Sequence, residues 1–446
     1  MNTRKKIILS LILLSYFIVG IDGSIVITGL VKITEDLNLD HTQLSWIQNI
    51  YLIAFGGFML TSGGLGEAYG RKRIFNLSLV LFGLGSLGAG VAQSAVFMIA
   101  SRFVQGVGAA MLAPTSLALI IDYFEGKERL KAVAWYGSMS GLGLCIGLIL
   151  GGAITSYASW RIGFLVNIPI ILIMMLFSLK TLDGKTIEKR NFDIAGTLLS
   201  VSGIFCLLYG IDGARHMAMW AVAGFALLAI FVCVERRVAV PILPLSLFSD
   251  ANRRCAYAGR ALVIGAMMGF NFFVSEFMQR DFGFTPLLTG YAFLPMNVAT
   301  FAAALKIPSL VNKYGDRRVL VVGLLFFLAG FGSMLTLTLQ SSYLTGVGVP
   351  MLFIGAGVGL TLSPLTNLGI RQVAHDDAGA ASAIVNVAHQ VGGAFGLSIM
   401  IKASDGLADM TARFHVGIMI AFGCIIGALL LSCSALPGQR HRRLTH

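Results

Sequence analysis

Apolar runs of roughly 20 residues, each almost free of charge, recur from Ile7 to Cys433, and each has the length a helix needs to cross a ~30 Å hydrocarbon layer. One such run fits a soluble core; a whole series of them excludes a water-soluble fold. Inside hydrocarbon every backbone polar group must be satisfied within the chain, and for runs of this length that means α-helices. The composition agrees: 56% of the 446 residues are hydrophobic, 12% are charged, and the mean hydropathy is +0.82. The chain is read as an all-α polytopic membrane protein.

Charged and turn-forming clusters divide it into fourteen expected transmembrane helices, near 7–31, 43–64, 74–94, 96–121, 131–156, 162–180, 194–212, 217–235, 257–279, 287–310, 318–338, 343–366, 380–401 and 413–434. Cytoplasmic loops collect Lys and Arg. With both termini inside, most of the 33 Lys and Arg residues fall in inner loops, and Arg102 and Lys306 lie within spans. Adding or dropping one helix would scramble this sidedness. The net charge of +12 is therefore read as topology rather than a nucleic-acid surface, since the basic residues form short clusters between apolar runs. Arg4, Lys5 and Lys6 precede the first run as in a signal peptide, but that run continues to Val31 without a cleavage site and reads as a retained helix. The six cysteines form no C-x-x-C pair and imply neither disulfides nor a zinc site. The expected setting is a plasma membrane, with the protein functional as a monomer among lipids.

The chain also repeats itself. LGEAYGRKR (Leu65 to Arg73), after the second span, is echoed by LVNKYGDRR (Leu310 to Arg318), after the tenth. A weaker echo relates EGKERLKAVA (Glu125 to Ala134) to HDDAGAASAI (His375 to Ile384). Parallel repeats of six helices with a substrate path between them are a recurring transporter architecture. The expected organisation is a six-helix bundle over 1–185, a two-helix insertion and cytoplasmic loop over 186–256, and a second six-helix bundle over 257–446.

GGLGEAYGRKR (Gly63 to Arg73) resembles the signature loop of the major facilitator superfamily, and RFVQGVGAA (Arg102 to Ala110) is similar to its fourth-span motif. IDGSIV (Ile21 to Val26), SWIQNIYLIA (Ser45 to Ala54), SWRIGFLVNIPI (Ser159 to Ile170) and NVAHQVGGAFG (Asn386 to Gly396) resemble the 14-span drug:proton antiporters of that superfamily. The resemblance implies the major facilitator fold and proton-coupled efflux of lipophilic, cationic organic compounds by alternating access. The sequence departs from the exporters at Leu148, where they carry a proline, and this keeps a proton-linked importer or facilitator of an organic solute as the alternative.

A charge deep in a membrane costs about 3 kcal/mol or more, so intramembrane charges are functional candidates. Asp22 lies about 15 residues into the first span, some ~22 Å along the helix, and Arg102 enters the fourth from the other side to a similar depth. Asp22 is the candidate to bind a proton or cationic substrate, with Arg102 and Gln105 tuning it; the alternative is a fixed ion pair that sets helix register. Glu276, amid aromatic residues and Met267, Met268 and Met278, is a candidate for recognising a lipophilic cation, against a solvated carboxylate beside interfacial aromatics. Lys306 is read as snorkelling, and His389 as a proton relay or a packing histidine. Gly63, Glu67, Gly70, Arg71 and Arg73 form a candidate cytoplasmic gating loop. Gly143, Gly147, Gly151 and Gly152 form a stripe for close helix approach and conformational change.

The chain has no G-x-x-x-x-G-K-[ST] loop, so the expected energy source is a proton gradient without cofactor or metal. It has no H-E-x-x-H and no G-x-S-x-G, which argues against a membrane enzyme, and loops too short for a signalling domain argue against a sensor. The expected partners are a small organic substrate and protons, and no nucleic acid.

Overall fold

A computed structural model describes residues 3–184, 193–211, 216–238, 241, 243–338, 340–373, 378–407 and 409–434, and no strand occurs among them. The helices are α1 (Thr3–Leu37), α2 (His41–Tyr69), α3 (Arg71–Gly90), α4 (Ala95–Tyr123), α5 (Gly126–Tyr157), α6 (Trp160–Leu165), α7 (Asn167–Thr181), α8 (Ile194–Ile211) and α9 (Met217–Glu235). They continue with α10 (Ala251–Arg280), α11 (Pro286–Ala292), α12 (Leu294–Tyr314), α13 (Asp316–Met334), α14 (Val349–Gly369), α15 (Ala378–Ser404) and α16 (Met410–Ser434). Among the described residues, twelve helical segments are long and apolar enough to cross a membrane, counting α6 with α7 and α11 with α12 as one each. The fourteen expected spans exceed that number by two. The 29-residue α2 and the 18-residue α8 stand outside the twelve.

Local sequence sets the helix starts. Asp40 caps α2 by accepting from the Gln43 N–H at 2.7 Å while the Gln43 side chain accepts from the Asp40 N–H, a reciprocal capping box. Ser94, Ser159, Asp250 and Thr285 each accept from one backbone N–H in the first turn of α4, α6, α10 and α11, without the reciprocal bond. The repeated Tyr-Gly loops share a backbone cause. Gly70 between α2 and α3 has φ 92°, and Gly315 between α12 and α13 has φ 80°, a region that L side chains rarely enter. Each lets two long helices turn with no intervening loop.

The helices up to α7 pack mainly among themselves, α1 on α5, α3 on α4 and α2 on α4; those from α10 onward do likewise, α13 on α14, α10 on α15 and α16, and α12 on α14. α8 docks on α2, where the Thr61 and Thr197 hydroxyls bond at 2.5 Å, and α9 packs on α8. The α1–α5 contact is made by the glycine stripe. A methyl group at Gly143 would stand 2.7 Å from the Phe17 carbonyl, one at Gly147 2.8 Å from the Ile21 Cα, and one at Gly151 3.1 Å from the Ile25 Cα. Gly152 sits on a different face, close against the Pro286 carbonyl and Leu287 of α11.

The two groups of helices meet through α2 with α15, α5 with α11, and α1 with α10. At the end where α1 stops they are closed on each other. Ser275 donates to the Ile27 carbonyl at 2.7 Å, the Leu287 N–H donates to Ser156 at 2.9 Å, and Arg413 meets His41. At the end where α1 begins they part. The α5 face that carries Leu148 and Gly152 onto α11 carries Gly137 and Gly141 further back, and those two look onto open space.

Candidate functional site

The most deeply buried polar cluster lies among α1, α3, α4 and α7. Asp22 on α1 is 0% exposed and Arg102 on α4 is 1% exposed. Arg102 Nη1 donates to Asp22 Oδ2 at 2.5 Å and to Gln105 Oε1 at 2.6 Å; Arg102 and Gln105, three apart on α4, share one helix face. Gln105 Nε2 donates to Asp22 Oδ1 at 2.6 Å and to Ser86 on α3 at 2.7 Å. Asn167 at the start of α7 closes the ring, reaching Asp22 Oδ1 at 3.4 Å and Ser86 at 3.3 Å. Arg102 Nε donates to the Ile47 carbonyl of α2 at 3.3 Å, and its guanidinium carbon lies 4.2 Å from the centre of the Tyr51 ring, within cation–π range.

This arrangement has a defined chemical capacity. With Asp22 ionised the cluster is neutral overall and its hydrogen bonds are charge-assisted. A proton on Asp22 removes the counter-charge from a buried guanidinium, which is costly in a low dielectric. Proton loading therefore competes with the present packing of α1 against α4. Asn167 Oδ1 and the Tyr51 hydroxyl are buried in this region without hydrogen-bond partners, so polar capacity remains for a rearranged network.

The sequence had singled out Asp22, Arg102 and Gln105, and the structure brings the three into direct contact. It did not single out Ser86, Asn167 or Tyr51. The signal for Asn167 was an amide in the otherwise apolar GFLVNIPI.

Glu276 is remote from this cluster, near the closed end of α10. It is 1% exposed, which excludes the solvated carboxylate. Its Oε1 lies 3.1 Å from Arg280 Nε and 3.9 Å from His41, but neither carboxylate oxygen has a hydrogen bond of good geometry. The aromatic residues expected to receive a cation are packed on one another instead: Phe277 touches Phe282 and Phe414, and Phe272 touches Phe273. Just beyond α10, burial and the nearby Asp409 hold the Asp281 carboxyl above its usual range.

In the gating loop, Arg71 pairs with Asp122 at 2.5 Å and donates to the Ala118 carbonyl at 2.8 Å. It thus ties α3 to the last turn of α4, within one group of helices. Arg73 is exposed and Gly70 supplies the turn; Gly63 lies within α2, and the Glu67 side chain lies outside the described residues. Lys306 is on an exposed face of α12. His389 on α15 meets Arg260 of α10, its Nδ1 3.2 Å from Nη2. Arg260 is a buried charge the sequence reading passed over, although the expected ninth span includes it.

Known proteins resemble this chain along most of its length. The pattern of the Major Facilitator Superfamily matches residues 12–397. The puromycin resistance protein of Streptomyces alboniger is 34% identical over 95% of this chain and 89% of its own. The cephamycin export protein of Amycolatopsis lactamdurans is 31% identical over 96% of this chain and 93% of its own. Among solved structures, a D-xylose–proton symporter superposes with a TM-score of 0.70 at 15% identity, over 98% of both chains, a likeness of fold.

Proposed function

Since this chain belongs to the major facilitator superfamily, and is a multi-pass membrane transporter rather than an enzyme, we propose that it exports lipophilic small organic compounds in exchange for protons. Relatives named for antibiotic resistance and export support the drug-export part. The observation that carries proton coupling is the buried Asp22–Arg102–Gln105 cluster, where a single protonation upsets an otherwise balanced charge. One proton entering down ~100 mV and one pH unit releases about 2.3 plus 1.4 kcal/mol, enough to hold a neutral cargo roughly 500-fold out of equilibrium.

In this reading α2 and α8 also span the bilayer, giving fourteen helices. The groups α1–α7 and α10–α16 are the two bundles that rock against each other, with α8 and α9 inserted between them. The end where α1 begins is cytoplasmic, by its Lys and Arg clusters. The present arrangement, closed at the opposite end, is then the inward-open state of an alternating-access cycle in a plasma membrane, carried out by a monomer. The expectation of a cationic cargo came from the resemblance, with Asp22 and Glu276 as its candidate sites; in this state Glu276 is shut behind packed aromatic residues and paired to Arg280.

The test is accumulation of a fluorescent lipophilic dye in cells with and without the protein, with and without a proton uncoupler. Export predicts lower accumulation when the protein is present, abolished by the uncoupler and by Asp22→Asn. Uncoupler-sensitive uptake would instead establish an importer, and export untouched by both treatments would end the proton-coupled reading.

A further inference from the structure

Among the described residues, Arg260 is a buried cation with no counter-charge. It lies nine residues into α10 and is 8% exposed. Its Nη1 donates to the Leu362 carbonyl at 2.8 Å and to the Thr366 hydroxyl at 3.2 Å, both on α14, and Nη2 meets His389 Nδ1. All three acceptors are neutral. Nε has no acceptor at all, and among the described residues no carboxylate lies within ion-pair distance. Arg102, also buried, is by contrast matched by Asp22.

The free valence has a shape. A guanidinium carries five N–H donors, and three are taken here. The Nε–H and a second Nη2–H remain. Nε and Nη2 form one edge of the planar fork, the edge that grips a carboxylate through two parallel hydrogen bonds. With Nδ1 accepting from Arg260, His389 carries its proton on Nε2, so it is neutral and holds the fork from one side. Thr366 and the Leu362 carbonyl hold it from the other.

Across from Arg260 is Tyr16 of α1, near enough for the two groups to interact electrostatically. The Tyr16 ring stacks on Tyr136 of α5, centroids 4.4 Å apart and planes 20° from parallel. A flat phenol pair thus stands on one helix group and an unbalanced cation on the other, on the helices that separate at the open end.

We propose that Arg260 receives a carboxylate of the transported compound, whose flat apolar body lies toward Tyr16 and Tyr136, so that the cargo is an organic anion or zwitterion. This deepens the export reading and rests on it for the word cargo; the binding site itself does not depend on transport. His389 is a positioning residue that sets the pose of the guanidinium.

The test is equilibrium binding to the purified full-length protein in detergent, read by fluorescence polarisation, with rhodamine B, which bears a free carboxylate, and its methyl ester, which has the same ring system with that group masked. Wild type is expected to bind the free carboxylate at least tenfold more tightly than the ester. Arg260→Gln should abolish the preference, so that the two dyes bind equally, and Arg260→Lys, which keeps the charge and loses the fork, should retain only part of it. Equal binding of both dyes by wild type, or a preference that survives Arg260→Gln, overturns the proposal. Should Arg260→Gln fail to elute as a single species, the wild-type ratio and Arg260→Lys decide between the same two outcomes. If the preference holds but neither dye moves across everted vesicles under a proton gradient, the site stands and the export reading fails.

Discussion

At the scale of single residues the molecule is governed by how each buried charge is answered. Asp22 and Arg102 answer each other, and removing one partner strands the other in a low dielectric, at a cost of about 3–5 kcal/mol. Asp22→Asn is therefore expected to lower thermal stability markedly, whereas Asp22→Asn with Arg102→Met should recover most of it and still fail to couple dye export to a proton gradient. A melting series in detergent beside vesicle transport checks both halves; transport restored along with stability would reduce the pair to a helix clamp. Both residues were legible in the sequence because ionised groups in apolar runs are too costly to be incidental. Ser86, Asn167 and Tyr51 were not, since uncharged polar groups are tolerated in membrane helices and carry a far weaker signal. Arg260 was missed although the expected ninth span includes it: it follows Arg253 and Arg254 so closely that it reads as part of the loop cluster.

At the scale of helices, close approach is set by missing side chains. Gly147 lies so near the Ile21 Cα and Ser24 that a larger residue must push α1 and α5 apart. Gly147→Leu should cost about 1–3 kcal/mol by overpacking and reduce transport at least severalfold, measured as melting temperature and vesicle uptake. Gly141→Leu, on the same helix but facing open space, should leave stability nearly unchanged and serves as the control. Each expected span falls on a helix, because twenty apolar residues between polar clusters leave the backbone one option. The interruptions at Val166 between α6 and α7 and at Phe293 between α11 and α12 went unread because neither residue is Gly or Pro; the signal lay just downstream, where Pro169 and Pro295 have no N–H to give the carbonyls of Leu165 and Tyr291.

At the scale of the whole molecule the informative asymmetry is one closed end and one open end. The closed end is held by a shared hydrophobic core with a few hydrogen bonds across it, among them Ser156 with Leu287 and Ser275 with Ile27. Ser156→Cys with Leu287→Cys, placed in a chain whose six native cysteines are replaced by Ser and joined by a short thiol crosslinker, should reduce transport at least tenfold, with recovery on reduction. Full activity in the crosslinked protein would mean that this end does not open. The unanswered charge of Arg260 has a bearing at this scale too. If the cargo itself brings the missing negative charge, then a proton moving in and an anion moving out shift two charges in the same electrical sense. The membrane voltage acts on each at about 2.3 kcal/mol per 100 mV, so the exchange becomes a current generator that hyperpolarised cells drive hardest.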